Sequence, residues 1–315
     1  MLNFYHVARN TFRESIREPI FFVLLVSALF LIGLFPSFSM FVFREQIKLV
    51  IDSAMATTLL FGLIAAVLCA SHTITREMQN GTVLLLLSKP VHRWSFILAK
   101  IVGIITALTI FVIICDIGSL VAVRVAKDQF QLDFTAMYIY YGIIFACAFA
   151  GAFRNYLYQA SFASTSVISM LIVMPVYAIV LNFIPAPGEG PMPLHWEMIP
   201  ALILIVFAVW GMGAITVVFS TRLNMVANLC VCGLIFALGM GSNFFFDKPG
   251  FWNTIFYALI PNWQLFWLAD ALASGKTIPL SYIFLAFAYI ILYMTFCSIW
   301  AIYMFQYREL AKDSR

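Results

Sequence analysis

The sequence predicts an all-α integral membrane protein with about eight transmembrane helices, an N-terminal amphipathic helix and a short cytoplasmic helix. Its 315 residues are 63% hydrophobic and only 10% charged, whereas a soluble domain carries roughly 25% charged residues. The apolar residues form runs of about 20 or more, the length that crosses a hydrocarbon core of ~30 Å. Because the charges cluster at the ends of these runs, the net charge of +4 does not indicate a nucleic-acid partner.

We expect one transmembrane domain over residues 1–315, with no separate soluble domain. The eight predicted spans are 19–40, 52–72, 97–121, 134–153, 160–184, 198–220, 225–246 and 280–304. Segment 251–273 is also apolar, but Pro261 and Asn262 interrupt it. We therefore predict that the outer connection 247–279 holds an interfacial or re-entrant pair of short helices.

Residues 1–18 are expected to form an interfacial segment, with an amphipathic helix over 1–17. One predicted face carries apolar side chains, and an adjacent stripe is basic. The apolar face holds Met1, Tyr5, Ala8, Phe12 and Ile16, and the basic stripe holds Arg9, Arg13 and Arg17. Such a helix lies in the headgroup plane of a bilayer. It fits either a connector that steadies a partner subunit or a simple membrane anchor.

The distribution of basic residues predicts which side of the membrane each end occupies. With the N-terminus in the cytoplasm, 12 of the 18 lysine and arginine residues fall on the inner side. Cytoplasmic connections carry this excess of positive charge. Eight spans then return the C-terminus to the cytoplasm. We predict a multi-pass protein of the plasma (inner) membrane with both termini cytoplasmic.

No catalytic, metal or cofactor site is predicted, so we do not expect this chain to be an enzyme. The four histidines are scattered without metal-ligand spacing. The run Ser274–Thr277 resembles the end of a phosphate-binding loop, but Asp270 stands where that pattern needs glycine. Asp116 is the one acid clearly within a span, towards its outer end. It is a candidate intramembrane polar site, or a side chain that extends towards the interface.

The cytoplasmic loop 73–96 is the most distinctive feature, because it contains five consecutive apolar residues. Asn80 or Thr82 can cap a short helix there, and Pro90 cannot continue it. A helix of about two turns fits between Thr82 and Ser88. Its apolar surface predicts either insertion into the lipid interface or docking into a groove on another protein.

These residues resemble the signature of ABC-2 type transporter permeases. The resemblance is carried by Glu77, Gly81, Thr82, Leu86, Leu87, Pro90, Arg93 and Lys100. Weaker similarities lie in the segment 260–266 and at the C-terminus, over 305–310. The family pattern has six spans, so the helix pair around 134–184 is expected to be an added hairpin.

The resemblance implies a permease subunit that exports substrate, with ATP and Mg²⁺ bound by a separate ABC ATP-binding subunit docked on the loop 76–93. A second permease chain, identical or different, and the lipid bilayer are the other implied partners. The implied docking residues are Glu77, Gly81, Thr82, Leu84, Leu86, Leu87, Ser88, Pro90 and Arg93, with Arg76 and Lys89 in a polar rim. Glu77 is expected to fix the loop either to the end of the second span or to the amphipathic helix, where Arg13 or Arg17 is a candidate partner. The alternatives are a secondary transporter or channel without an ATPase partner, and a membrane scaffold.

Overall fold

The computed structural model describes residues 2–39, 46–79, 93–126, 132–185, 193–246, 250–273 and 275–306. In these ranges the chain forms twelve α-helices, two short 3-10 helices (Trp196–Met198 and Trp263–Phe266) and no sheet. The α-helices are α1 (Leu2–Arg17), α2 (Pro19–Ser39), α3 (Gln46–Gln79), α4 (Arg93–Val125), α5 (Phe134–Tyr158), α6 (Phe162–Leu181), α7 (Ile199–Ser220), α8 (Met225–Met240), α9 (Ser242–Phe246), α10 (Phe251–Leu259), α11 (Ala269–Ala273) and α12 (Leu280–Gln306). Within the described ranges seven helices are long and apolar enough to span a membrane, which confirms the predicted all-α membrane fold.

Two ends of the bundle are defined by contacts between helix termini. At one end, the ring of Phe96 stacks on that of Phe305, with the centroids 6.0 Å apart. There Arg222, in the α7–α8 connection, donates a 2.9 Å hydrogen bond to the carbonyl of Met304. Because α1 packs on the first half of α4, we call this the α1 end. The opposite end, where α4 meets the start of α5, contains Arg124, and we call it the Arg124 end.

Within the described ranges, seven helices have the length of a span, whereas eight spans were predicted. The predicted span 225–246 is not one helix, because α8 ends at Met240 and a separate short helix, α9, follows. With 16 residues, α8 is about 24 Å long. A Cβ atom at Gly239 would collide with the carbonyl oxygen of Pro261 and with Trp263. The helix therefore ends where the segment after it packs against it.

Segment 251–273 folds as α10, a 3-10 turn and α11, as the interruption at Pro261 predicts. The hydroxyl of Tyr293, halfway along α12, donates a 3.0 Å hydrogen bond to the carbonyl of Leu259. Trp263 is fully buried and faces Gly211, halfway along α7. The segment thus turns alongside the middle of α7 and α12.

Helix α7 forms the centre of the bundle and packs against α3, α4 and α12. In the most apolar 18-residue stretch of this span 78% of the residues are buried, whereas in that of α12, at the edge of the bundle, 22% are buried. Glycines allow close approach here, because a Cβ atom at Gly211 would lie 2.8 Å from Ile290. Small residues at helix crossings are typical of membrane proteins, where packing rather than the hydrophobic effect holds helices together.

Helices α5 and α6 form an antiparallel hairpin at the periphery. The buried side of α5 is a narrow stripe at helical spacing, Tyr140, Ile144, Cys147 and Gly151. Tyr140 donates a 2.8 Å hydrogen bond to the carbonyl of Leu29 in α2, which ties the hairpin to the bundle. The exposed surface of α5 is mostly apolar up to Phe153, as expected for a helix that faces lipid, and Arg154 is exposed near its C-terminal end.

A buried ion pair joins three helices at the Arg124 end. The guanidinium of Arg124 lies 2.9 Å from Oδ2 of Asp133 and donates a 2.7 Å hydrogen bond to the carbonyl of Ile184. Asp133 also accepts from the backbone N–H of Ala136 at 3.0 Å and so caps α5. The Arg124 side chain is 0% exposed. Removing one partner of such a pair leaves an uncompensated buried charge.

We expect Asp133→Asn to lower the free energy of unfolding by about 3 kcal/mol, because it removes the carboxylate that is hydrogen-bonded to the buried Arg124 guanidinium. Thermal unfolding of the purified chain in detergent measures the effect. Glu197→Gln is the matched control, since Glu197 is exposed and the substitution also removes one negative charge. Equal melting temperatures for the two variants would contradict this role of the ion pair.

Candidate functional site

The predicted docking loop connects α3 and α4 at the α1 end of the bundle. Glu77 lies in the last turn of α3 and Arg93 is the first residue of α4. The remaining predicted docking residues, Gly81, Thr82, Leu84, Leu86, Leu87, Ser88 and Pro90, lie outside the described residues. The flanking helices have 34 and 33 residues, well beyond the roughly 20 that a hydrocarbon core requires. Two long helices packed against each other therefore hold the ends of this loop.

Helix α1 lies across α4 at Gly103. A Cβ atom there would lie 2.6 Å from the carbonyl oxygen of Ala8 and 2.7 Å from Cβ of Thr11. The buried face of α1 has helical spacing and small or β-branched side chains: Ala8, Thr11, Ser15 and Ile16. This face differs from the predicted apolar face, because Tyr5 is 60% exposed and Phe12 is only partly buried. Short side chains are needed because the backbones of α1 and α4 nearly touch.

Two acidic residues tie the C-terminal half of α1 to both helices that flank the loop. Oε1 of Glu18 lies 3.3 Å from Nδ1 of His72 and 3.6 Å from a guanidinium nitrogen of Arg76, both in α3. Oε2 of Glu14 lies 4.0 Å from the ammonium of Lys100 in α4. We call these five side chains the α1 clamp. The clamp fixes α3, α4 and α1 to one another beside the loop.

Burial makes Lys100 the most consequential member of the α1 clamp. Its side chain is 2% exposed, and its ammonium lies 5.7 Å from the centroid of the Phe96 ring. A buried ammonium requires compensation by a carboxylate or by an aromatic face. The position of Glu14 on α1 is therefore coupled to the first turns of α4.

The sequence pointed to other partners for this helix. It suggested Arg13 or Arg17 as a candidate partner of Glu77, and the structure does not describe the Glu77 side chain. The described contact to α3 is made by Glu18, which directly follows α1. The available signal was two acids at four-residue spacing, Glu14 and Glu18, in a segment whose other charges are basic.

Asp116 lies away from the α1 end, in the half of α4 that is nearer Arg124. It is two helical turns from Arg124 and only 7% exposed. Both sequence interpretations of this residue stay predictions. Within the described part of the chain, no group hydrogen-bonds its Oδ1. The described residues contain no cluster of three histidine, cysteine, aspartate or glutamate side chains that could hold a metal ion.

The close contact at Gly103 yields a test of how α1 is held. Glycine to alanine within a helix is ordinarily neutral or stabilising by up to about 1 kcal/mol. We expect Gly103→Ala to be destabilising instead, because the added methyl group displaces α1 from α4. Gly142→Ala is the matched control, since no atom lies within 4 Å of a Cβ atom there. Melting temperature and the rate of tryptic cleavage in α1 report the outcome, and identical behaviour of both variants would contradict the proposed contact.

Comparison with known families places this geometry in context. The family model of the ABC-2 family transporter proteins matches residues 5–194. The matched range contains α1, the loop between α3 and α4, and the α5–α6 hairpin. Among curated proteins, no significant match was found. Because the family match covers 190 of the 315 residues, the chain belongs to the ABC-2 family of transporter proteins.

Proposed function

We propose that this chain is the permease subunit of an ATP-driven exporter, and that a separate ABC ATP-binding subunit docks on the loop 76–93. The family supports a membrane transport component of an ABC transporter. The main observation in favour of this docking site is the α1 clamp, because it holds α3 and α4, the helices that flank the loop, in a fixed arrangement. A force applied to the loop then moves α3, α4 and α1 together instead of bending one helix end.

The chemistry of the loop supports docking on a protein. The consecutive apolar residues 83–87 provide surface for burial in a groove, and Arg76, Lys89 and Arg93 provide a polar rim. Interfaces of this kind combine a buried apolar centre with a charged edge. In this proposal Leu84, Leu86 and Leu87 are the central contacts. ATP and Mg²⁺ belong to the docked subunit, and this chain supplies the mechanical connection.

The route from the loop into the membrane follows from the packing of the helices. Both α3 and α4 pack against the central helix α7. Trp210 of α7 donates a 2.8 Å hydrogen bond to the hydroxyl of Thr109 in α4, and the hydroxyls of Thr58 and Ser119 join α3 to α4 at 3.4 Å. A displacement at the α1 end is transmitted along these packed helices to the middle of the bundle. We propose that nucleotide-driven closure of the partner uses this route.

The surrounding assembly is part of the same proposal. We infer that the α1 end faces the cytoplasm, because arginine and lysine residues concentrate there. Segment 251–273 then enters the plasma membrane from the outer side and turns at Pro261. The exposed apolar surface of α12 is available to lipid and to a second permease chain, identical or different.

The first experiment identifies the partner. The tagged chain is extracted from its native membrane in mild detergent, and the proteins that co-purify are identified by mass spectrometry. We expect a soluble ATP-binding subunit in stoichiometric amount. If the assembled chain carries no such subunit, the docking proposal is wrong and a secondary transporter is favoured. Asp116→Asn would then be the first variant to test, because a buried carboxylate in a span is a candidate for ion coupling.

We expect Leu86→Asp to abolish co-purification of the ATPase while the chain remains inserted, because a carboxylate in the centre of an apolar interface is left without a partner. Met192→Asp is the control, since Met192 is an apolar residue in a loop predicted to lie outside. The ratio of ATPase to permease in the eluate measures both variants. Undiminished ATPase in the Leu86→Asp sample would exclude docking through this loop.

A further inference from the structure

A second site lies beside α1. An open groove of about 990 Å³ separates α1 and α4 from the turn of the α5–α6 hairpin. Ligand sites of roughly 300–1,000 Å³ hold molecules of metabolite or headgroup size. None of the five side chains of the α1 clamp lines this groove. The groove is therefore a feature separate from the clamp.

The charged side chains that the structure describes in this groove are all positive. Among the described lining residues there is no aspartate, glutamate or lysine, and there are four arginines: Arg9, Arg13, Arg17 and Arg154. All four are exposed. In the described part of the chain, none of their guanidinium groups pairs with a carboxylate. We call these residues the arginine groove.

The structure of α1 explains why the charge in the groove is uncompensated. Arg9, Arg13 and Arg17 recur every four residues and form one stripe along the helix. The acids are engaged elsewhere: Glu14 contacts Lys100 of α4, and Glu18, directly after the helix, contacts α3. The helix therefore separates its charges, with the carboxylates directed into the bundle and the guanidinium groups directed to the groove.

The fourth arginine comes from the hairpin, and a defined turn positions it. The backbone of Gln159 adopts a left-handed conformation with φ of 55°. The side chain of Asn155 donates a 2.6 Å hydrogen bond to the carbonyl of Ala160 and closes the turn. Arg154 precedes this turn by one residue, which places it across the groove from α1. An isolated basic helix lacks such an opposing wall.

The lining also has a gradient from polar to apolar along α6. Ser161, Ser164 and Thr165 lie near the turn, and Ile168 follows one turn later on the same face. Ile172 continues this face beyond the groove and is 61% exposed. Because α6 is a spanning helix, the gradient runs from the interface towards the hydrocarbon core. An amphiphile matches this arrangement, whereas a small soluble anion uses only its polar part.

We propose that the arginine groove binds an anionic phospholipid, with its phosphate held by the arginines and an acyl chain along Ile168 and Ile172. Guanidinium groups bind phosphate oxygens in a bidentate fashion and retain their charge at any physiological pH. Basic residues at the membrane surface attract anionic lipids. The α5–α6 hairpin thereby has a role, since without Arg154 and α6 the groove has one wall. This inference does not depend on the ATP-binding partner.

The test uses the purified full-length chain in detergent. Native mass spectrometry and thermal unfolding are recorded while phosphatidylglycerol or phosphatidylcholine is added. We expect phosphatidylglycerol to remain bound and to raise the melting temperature, and phosphatidylcholine to do neither at equal concentration. In the Arg13→Gln/Arg154→Gln double variant, we expect the affinity for phosphatidylglycerol to fall by about tenfold or more.

Controls separate loss of the site from loss of the fold or of charge alone. Both substituted arginines are exposed, so the double variant is expected to unfold at the wild-type temperature without lipid. Arg222→Gln removes a charge at the same end but outside the groove and should leave lipid binding unchanged. Arg154→Lys should bind with intermediate affinity, because lysine keeps the charge and loses the bidentate geometry.

Three results would overturn the proposal. Equal retention of both lipids, or unchanged phosphatidylglycerol binding in the double variant, shows that the groove does not recognise the headgroup. Competition by millimolar inorganic phosphate with no dependence on acyl chains shows a soluble-anion site. Protection of α1 arginines from labelling only when a second protein is bound shows that the groove is a protein-docking surface.

Discussion

The contact between α1 and the paired helices α3 and α4 governs the arrangement at one end of the molecule. It depends on a charge that has little access to water, because Lys100 is almost completely buried. Glu14 and the ring of Phe96, which lie beside it, help to offset its desolvation. These contacts fix the position of α1 against α4, and with it the position of Glu18 against α3. One buried ammonium thus sets the register of three helices beside the loop.

A buried charge also constrains the packing of the helices at the Arg124 end, with a different geometry. Arg124 and Asp133 are buried as a hydrogen-bonded pair, and the arginine also reaches the carbonyl of Ile184. Between the two ends the helices pack through glycines and small side chains. Ion pairs hold the termini of the helices in register, and close packing holds their middles. A bundle built in this way moves as a unit when one end is displaced, which suits a subunit driven from outside the membrane.

Hydropathy predicted most of the fold, because crossing a hydrocarbon core imposes a length and a composition that are local in sequence. It failed at 225–246, where α8 ends at Met240 with Gly241 at its C-cap. The glycine is a local signal for this end, whereas the approach of Pro261 and Trp263 to Gly239 is a tertiary contact that no local pattern records. The α1 clamp was missed because it also depends on tertiary contacts. The sequence shows that Glu14 and Glu18 are charged, but the choice of Lys100, His72 and Arg76 as partners depends on how three helices pack.

Helix α1 has two faces with separate contacts, and this gives the proposed sites a physical connection. One face is held against α4 and α3 by the clamp, and the arginine stripe on another face lines the groove. Consider a ligand that binds only when α1 is packed against α3 and α4. At a free concentration of a hundred times its dissociation constant, it stabilises this packed state by about 2.7 kcal/mol. Linkage is reciprocal, so a partner that docks on the loop and favours the packed state also raises the affinity for the ligand. In a chain with both sites, the lipid composition of the membrane would set how firmly the loop is held for its partner.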